Sequence, residues 1–201
     1  MIRIGITGGI GSGKTYVCQL LKQRGIPVYH CDDEAKRLMT ASSVIRKKIC
    51  KLIGEEAYIN KELNKAIIAQ YLFANDEHAA HINEIVHPVV RQDFLQWTKQ
   101  QKDCPIVAQE CALLFESGFQ DTVDFIVEVF APLPLRIQRA TQRDNVTADK
   151  ILARMAQQMD EEEKKQRADY CILNDGCNNL DIQIDQLLDL LNKKNNSETK
   201  Q

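Results

Sequence analysis

The sequence predicts an α/β protein: a parallel β-sheet flanked by helices, with a helical substrate-binding insert and a helical lid. Three observations predict it. Five short stretches rich in Val and Ile alternate with segments of helical periodicity, the pattern of strands buried in a parallel sheet with helices on both faces. A glycine-rich run joins the first of these strands to the first helix. Between the second and third strands lie more than seventy residues of mostly helical periodicity, far too many for one crossover helix.

The first strand is IRIGIT (2–7), and YVCQLLKQRG continues after the glycines as an amphipathic helix. Between them Gly8, Gly13, Lys14 and Thr15 fit the spacing G-x-x-x-x-G-K-[ST], the phosphate loop of the P-loop NTPase fold. Side chains at Gly8, Gly9, Gly11 and Gly13 would block the approach of the backbone to a polyphosphate. Backbone amides from Gly11 through Tyr16, Ser12 included, are expected to surround the phosphates of a nucleoside triphosphate. Lys14 reaches the β- and γ-phosphates and the Thr15 hydroxyl ligates Mg²⁺. The helix start supplies unpaired N–H groups and a dipole that favours anions. A dinucleotide fingerprint G-x-G-x-x-G is excluded, because its last glycine falls on Lys14.

The second strand, IPVYH (26–30), is followed by Asp32 and Asp33. Ligands of such sheets bind at the carboxyl ends of the strands, so the loop, Asp32 and the later Glu110 are expected along one edge. The insert reads as the helices EAKRLM, VIRKKICKLI, NKAIIAQYLF and a long one from about Glu77 to Gln101, which Pro88 bends or interrupts. PIVAQE (105–110) and DFIVEVF (124–130) are the next strands. In PLRIQRATQRD, Arg136, Arg139 and Arg143 share one helix face. VTADKILARMAQQM and DEEEKKQRADY follow as two short helices with Thr147 and Asp160 as caps. An arginine face is ordinarily solvated; following a strand near a phosphate loop, it suits a lid over transferring phosphates. YCILN (170–174) is the last strand, and LDIQIDQLLDLL packs on the sheet through residues 180, 184, 187, 188 and 191. The expected domains are a nucleotide-binding core (1–32, 102–133 and 168–191), an acceptor-binding insert (33–101), a lid (134–167) and a flexible tail (192–201).

A formal charge of −2 gives no reason to expect nucleic-acid or membrane binding, so anionic ligands must be held by local groups. The seven cysteines form no C-x-x-C and no zinc spacing, which points to free thiols in a reducing compartment. No apolar stretch approaches the length of a membrane span and no signal segment precedes the first strand, so a cytoplasmic protein is expected. The sequence sets no oligomeric state.

A nucleotide-binding loop serves kinases, GTPase switches and motor or transporter ATPases alike. The guanine reader N-K-x-D is missing, since Asn64-Lys65 is followed by Ala-Ile, and no ABC-type signature is present. A small-molecule kinase accounts for both the insert and the arginine-bearing lid. Phosphoryl transfer requires little beyond positioning and charge stabilisation. Asp32 and Asp33 are the candidates for the base; both equally suit the start of a helix, and one can cap while the other faces the site.

TGGIGSGKT, Asp32, NEIVHP (83–88), LLFESGF (113–119), RATQRD and RADYCILNDG together resemble the dephospho-CoA kinase family, collinearly from Met1 to about Leu191. The resemblance implies ATP-dependent phosphorylation of the ribose 3′-hydroxyl of dephospho-coenzyme A. It also implies a nucleotide-binding core, a helical CoA-binding subdomain and a lid. The family commonly has Asp-Ala-Asp where this chain has His30-Cys31-Asp32, so Asp32 inherits the base role. Ala112 stands where a proline usually precedes the Leu-Leu pair, and Asn64-Lys65 where Asp-Arg is more usual. The family motif makes His87 a candidate for the acceptor pocket as much as for a packed core residue. Lys14 and a lid arginine, Arg139 or Arg143, are assigned to the charge that spreads over the transferring group. Glu110 and Glu116 are open between orienting Mg²⁺ and accepting structural hydrogen bonds. The runner-up reading is another small-molecule kinase of the same fold.

Overall fold

The computed structural model describes residues 1–75 and 77–198. In chain order the elements are β1 (Ile2–Thr7), α1 (Lys14–Gln23), β2 (Val28–His30), α2 (Cys31–Ala41) and α3 (Ser43–Ile53). A two-stranded hairpin follows, β3 (Tyr58–Ile59) and β4 (Glu62–Leu63), then α4 (Lys65–Ala74) and α5 (His78–Gln100). The chain continues with β5 (Ile106–Glu110), β6 (Phe125–Phe130), α6 (Leu133–Asp144), α7 (Ala148–Met155), α8 (Glu161–Arg167), β7 (Tyr170–Leu173) and α9 (Leu180–Glu198). It divides into two compact units, one formed by Met1–Tyr29 with Gln100–Gln201 and the other by His30–Lys99.

The first unit holds a five-stranded parallel sheet in the order β2-β5-β1-β6-β7. The central strand β1 sets Ile4 opposite Ala108 of β5 on one side and Phe125 of β6 on the other. Val129 of β6 faces Ile172 of β7. With helices on both faces the strands are covered on each side, so their side chains are mostly apolar, and Ile4, Ile6, Val127, Val129 and Ile172 are fully buried. Helix α1 contributes Val17, Cys18 and Leu21 to this core, and α9 contributes Ile184, Leu187 and Leu191. Each such aliphatic side chain stabilises the fold by about 1.5–3 kcal/mol relative to exposure. Leu180 and Leu188 pack at the margin, so all five apolar positions of α9 meet the core. The helix then runs on to Glu198, well into the stretch read as a tail from 192; residues 199–201 lie outside the described residues.

The second unit is built on α2 to α5. Helix α5 buries Ile82, Val86, Val90, Phe94 and Thr98, a stripe of i, i+4 repeats along one face. It passes through Pro88 as one continuous helix, although proline donates no N–H to the ladder. Ser42 caps α3 by accepting from the Ile45 amide at 3.3 Å, and Asn64 caps α4 by accepting from the Ile67 amide at 3.5 Å. The hairpin between them was not expected from the sequence. Its turn residues Asn60 and Lys61 both have positive φ, 52° and 71°, as a tight hairpin turn requires. Tyr58 anchors it, donating its hydroxyl to the Met39 carbonyl at 2.7 Å. Asp32, read as the last residue of the core segment, belongs to this second unit.

Candidate active site

The glycine run leaves β1 and folds back on itself, with the Ser12 amide donating to the Gly9 carbonyl at 3.1 Å. Gly11 and Gly13 carry φ of 80° and 94°, left-handed values that side-chain-bearing residues adopt only with strain. A Cβ at either would also collide, with the backbone of Arg136 at Gly11 and with the Asn174 amide at Gly13. Helix α1 opens at Lys14, its first bonds running from the Tyr16 and Val17 amides to the Gly13 carbonyl. The amides of Lys14 and Thr15 thus start the helix without an intrahelical acceptor, the arrangement that binds anions.

Lys14 folds its ammonium onto the loop, donating to the carbonyls of Gly8 at 2.6 Å and Gly9 at 3.2 Å. Burial pulls its pKa below the usual lysine value, partly offset by the charge of Glu110. The Thr15 hydroxyl donates to Glu110 Oε1 at 3.1 Å. Glu110 ends β5, the strand beside β1, so the sheet itself brings this carboxylate to the loop hydroxyl. A loop Thr beside a strand-end carboxylate is the donor pair that holds Mg²⁺ in phosphate-loop enzymes, and these two residues fit it. Tyr16 is exposed at the head of α1.

The three arginines of α6 separate in the structure. Arg136, 4% exposed, donates its Nε to the Ile10 carbonyl at 3.0 Å and pairs with Glu161 at 3.0 Å. Glu161 in turn accepts from the Gly9 amide at 3.1 Å, and Gln158 accepts from the Ile10 amide at 3.0 Å. The near rim of the loop is therefore tied to α6 and to the turn that opens α8. Arg139 donates to the carbonyl of Asn174 at 3.0 Å and to its side-chain oxygen at 3.3 Å. Arg143 is engaged with Asp144 at 2.7 Å, which also takes Arg154 at 2.6 Å, and its side chain is 61% exposed. Glu116 supports the same region by accepting from the Met159 amide at 2.7 Å and facing Lys164 at 3.7 Å.

Under the loop lies a group the sequence reading did not single out. Glu128, in the middle of β6 and opposite Thr7 of β1, is fully buried, and neither carboxyl oxygen has a hydrogen-bond partner among the described residues. Burial, reinforced by Glu161, pushes its pKa up to about 8 against the pull of Lys164, Lys14 and Arg136. A charged residue inside FIVEVF was the available signal. Its surroundings come from α1, α6 and α8 and were not readable locally.

In the second unit Asp32 and Asp33 stand in the first turn of α2, where the helix dipole favours acids. The N-cap is His30, so neither aspartate holds the capping position. Asp33 is exposed and pairs with Lys36 at 3.1 Å. His87, on α5, is held below the ordinary histidine pKa by burial and by Arg91, while the charge of Asp32 pulls it back up. That mutual influence brings together the two acceptor-side residues read from the sequence.

A parallel sheet with a glycine loop, a helix opening at Lys14 and a Thr–carboxylate pair defines a phosphate-loop kinase fold. The profile of the family described as Dephospho-CoA kinase matches residues 2–179. A Dephospho-CoA kinase of Bacteroides fragilis is 49% identical over 96% of this chain and 94% of its own length. A crystal structure of a Thermus thermophilus protein superposes with a TM-score of 0.78 at 33% identity, covering 96% of this chain and 97% of that one. The dephospho-CoA kinase from Campylobacter jejuni shares the fold at a TM-score of 0.70 and 22% identity, over 96% and 98% of the two chains. The chain belongs to the dephospho-CoA kinase family.

Proposed function

We infer that the chain transfers the γ-phosphoryl group of ATP to dephospho-CoA, giving ADP and CoA, the last step of CoA biosynthesis. The observation that carries this reading is the near full-length match to the family, together with a phosphate loop whose Thr15 already faces Glu110. The acceptor is the ribose 3′-hydroxyl. Its oxygen attacks the γ-phosphorus, the bond to the bridging oxygen of ADP breaks, and the hydroxyl proton passes to Asp32. The amides of Gly11 to Tyr16 cradle the phosphates, with Lys14 and Arg139 facing the charge that spreads over the transferring group. Arg143 joins them only by leaving Asp144. His87 lines the acceptor pocket of the helical insert. Thr15 and Glu110 are the residues that would hold Mg²⁺, which when bound neutralises phosphate charge. A cytoplasmic setting accords with seven cysteines that stand as free thiols, and among the described residues no helix is long and apolar enough to cross a membrane.

Coupled ADP release, measured with dephospho-CoA, with nucleoside monophosphates and without acceptor, tests the reading. Turnover is expected with dephospho-CoA alone. Equal or faster turnover with a nucleotide acceptor would assign the chain to another kinase class.

A further inference from the structure

Arg139 reaches the phosphate loop through Asn174. Among the described residues its guanidinium donates to two acceptors, the carbonyl and the side-chain oxygen of Asn174, at 3.0 and 3.3 Å. Asn174 follows the last residue of β7, and its amide extends the parallel ladder by donating to the Phe130 carbonyl at 2.8 Å. The strand therefore fixes its backbone. Its side-chain amide, in a residue only 7% exposed, donates to the Ser12 carbonyl inside the loop at 2.8 Å. A Cβ on Gly13 would overlap that amide and lie 4.0 Å from Arg139 Nη1. Loop, asparagine and guanidinium thus form one continuous chain of contacts, with the Asn174 side chain bonded to both the Ser12 carbonyl and Arg139.

We propose that Asn174 is a positioning residue for the phosphoryl transfer: it holds the planar fork of Arg139 against the phosphate loop and ties that fork to the Ser12 carbonyl. The proposal rests on the reading of this site as an ATP-dependent kinase. An arginine fork holds its direction best when two acceptors receive its two Nη groups, and here both come from Asn174. Replacing the asparagine by alanine leaves the main-chain acceptor but removes the side-chain oxygen and the loop tie, so the guanidinium swings.

The test is a double-mutant cycle on the full chain, with kcat and KM for ATP measured for wild type, Asn174→Ala, Arg139→Ala and the double variant, and Tm recorded for each. Asn174→Ser runs in the same cycle in case the alanine variant does not purify folded. If Asn174 acts through Arg139, each single variant loses about tenfold or more in kcat/KM for ATP, and the double variant loses no more than Arg139→Ala alone. Losses that multiply, or a lowered Tm with kcat/KM unchanged in Asn174→Ala, overturn the positioning role. Full activity in Arg139→Ala shows instead that Arg139 has no part in the reaction. No turnover with dephospho-CoA in the wild-type chain removes the kinase reading itself.

Discussion

Glu128→Gln isolates the buried carboxyl beneath the loop. The folded chain holds the Glu128 proton until about pH 8, while an unfolded glutamate, with its ordinary value of 4.5, has already released it. In that window the folded state binds one proton more than the unfolded state, so stability falls as pH rises from about 4.5 to about 8 and levels off above. At about 1.4 kcal/mol per pKa unit, the full crossing costs about 4–5 kcal/mol. The groups that face the carboxyl are Glu161 and Lys164 of α8, Lys14 of α1, Arg136 of α6 and Cys171 of β7. None of them hydrogen-bonds it among the described residues, so glutamine fits the same space without a titrating proton. Thermal unfolding of both proteins from pH 5 to pH 8.5 is the assay. For a chain of this length a cost of that size lowers Tm by about 10 °C. The wild type is expected to lose that much relative to Glu128→Gln across the range, and the variant to be the more stable protein at pH 8.5. Parallel Tm curves for the two proteins would refute the argument, because they would mean the carboxyl changes protonation at the same pH folded and unfolded.

Lys14→Ala is expected to keep its melting temperature within a few degrees and to lose at least about 10²-fold in turnover, because it removes a preorganised charge from the loop; near-normal turnover would sink the loop assignment. Asp32→Asn should lower turnover by roughly 10²–10⁴-fold while calorimetric ATP affinity holds. Asp33→Asn, which removes only an exposed pair with Lys36, should be mild, and the reverse ranking would move the base by one residue. Glu110→Gln keeps an acceptor for the Thr15 hydroxyl but weakens the carboxylate, so the Mg²⁺ concentration for half-maximal rate should rise several-fold; an unchanged Mg²⁺ titration would leave Glu110 a structural acceptor only.

The parts of the site that were legible are those in which the physics is local. The loop is specified within a dozen residues, since glycine spacing, the Lys-Thr pair and the flanking strand and helix lie in one stretch. The strands were legible because burial on both faces forces continuous Val and Ile runs, and α9 because its apolar spacing marks a single face. What escaped depends on contacts between distant segments. Gly9 meets Glu161 across 152 positions and Ser12 meets Asn174 across 162, and no periodicity records either. The spacing of the arginines of α6 places them on one helix but does not say which of them reaches the loop. Arg143 lies about 10 Å along the helix from Arg136, at about 1.5 Å per residue, and finds Asp144 instead. The hairpin at 58–63 was hidden because Lys61 is an unusual residue for a positive φ, so the turn carried no glycine signal.

The most direct measurement of the central claim is the product itself. The purified chain, incubated with ATP, Mg²⁺ and dephospho-CoA, is followed by mass spectrometry for CoA and by phosphorus NMR for the position of the new phosphate. The account predicts CoA and ADP in equal amounts, with the phosphate on the ribose 3′-oxygen. ADP without CoA, or a phosphate on any other oxygen of the acceptor, would contradict it.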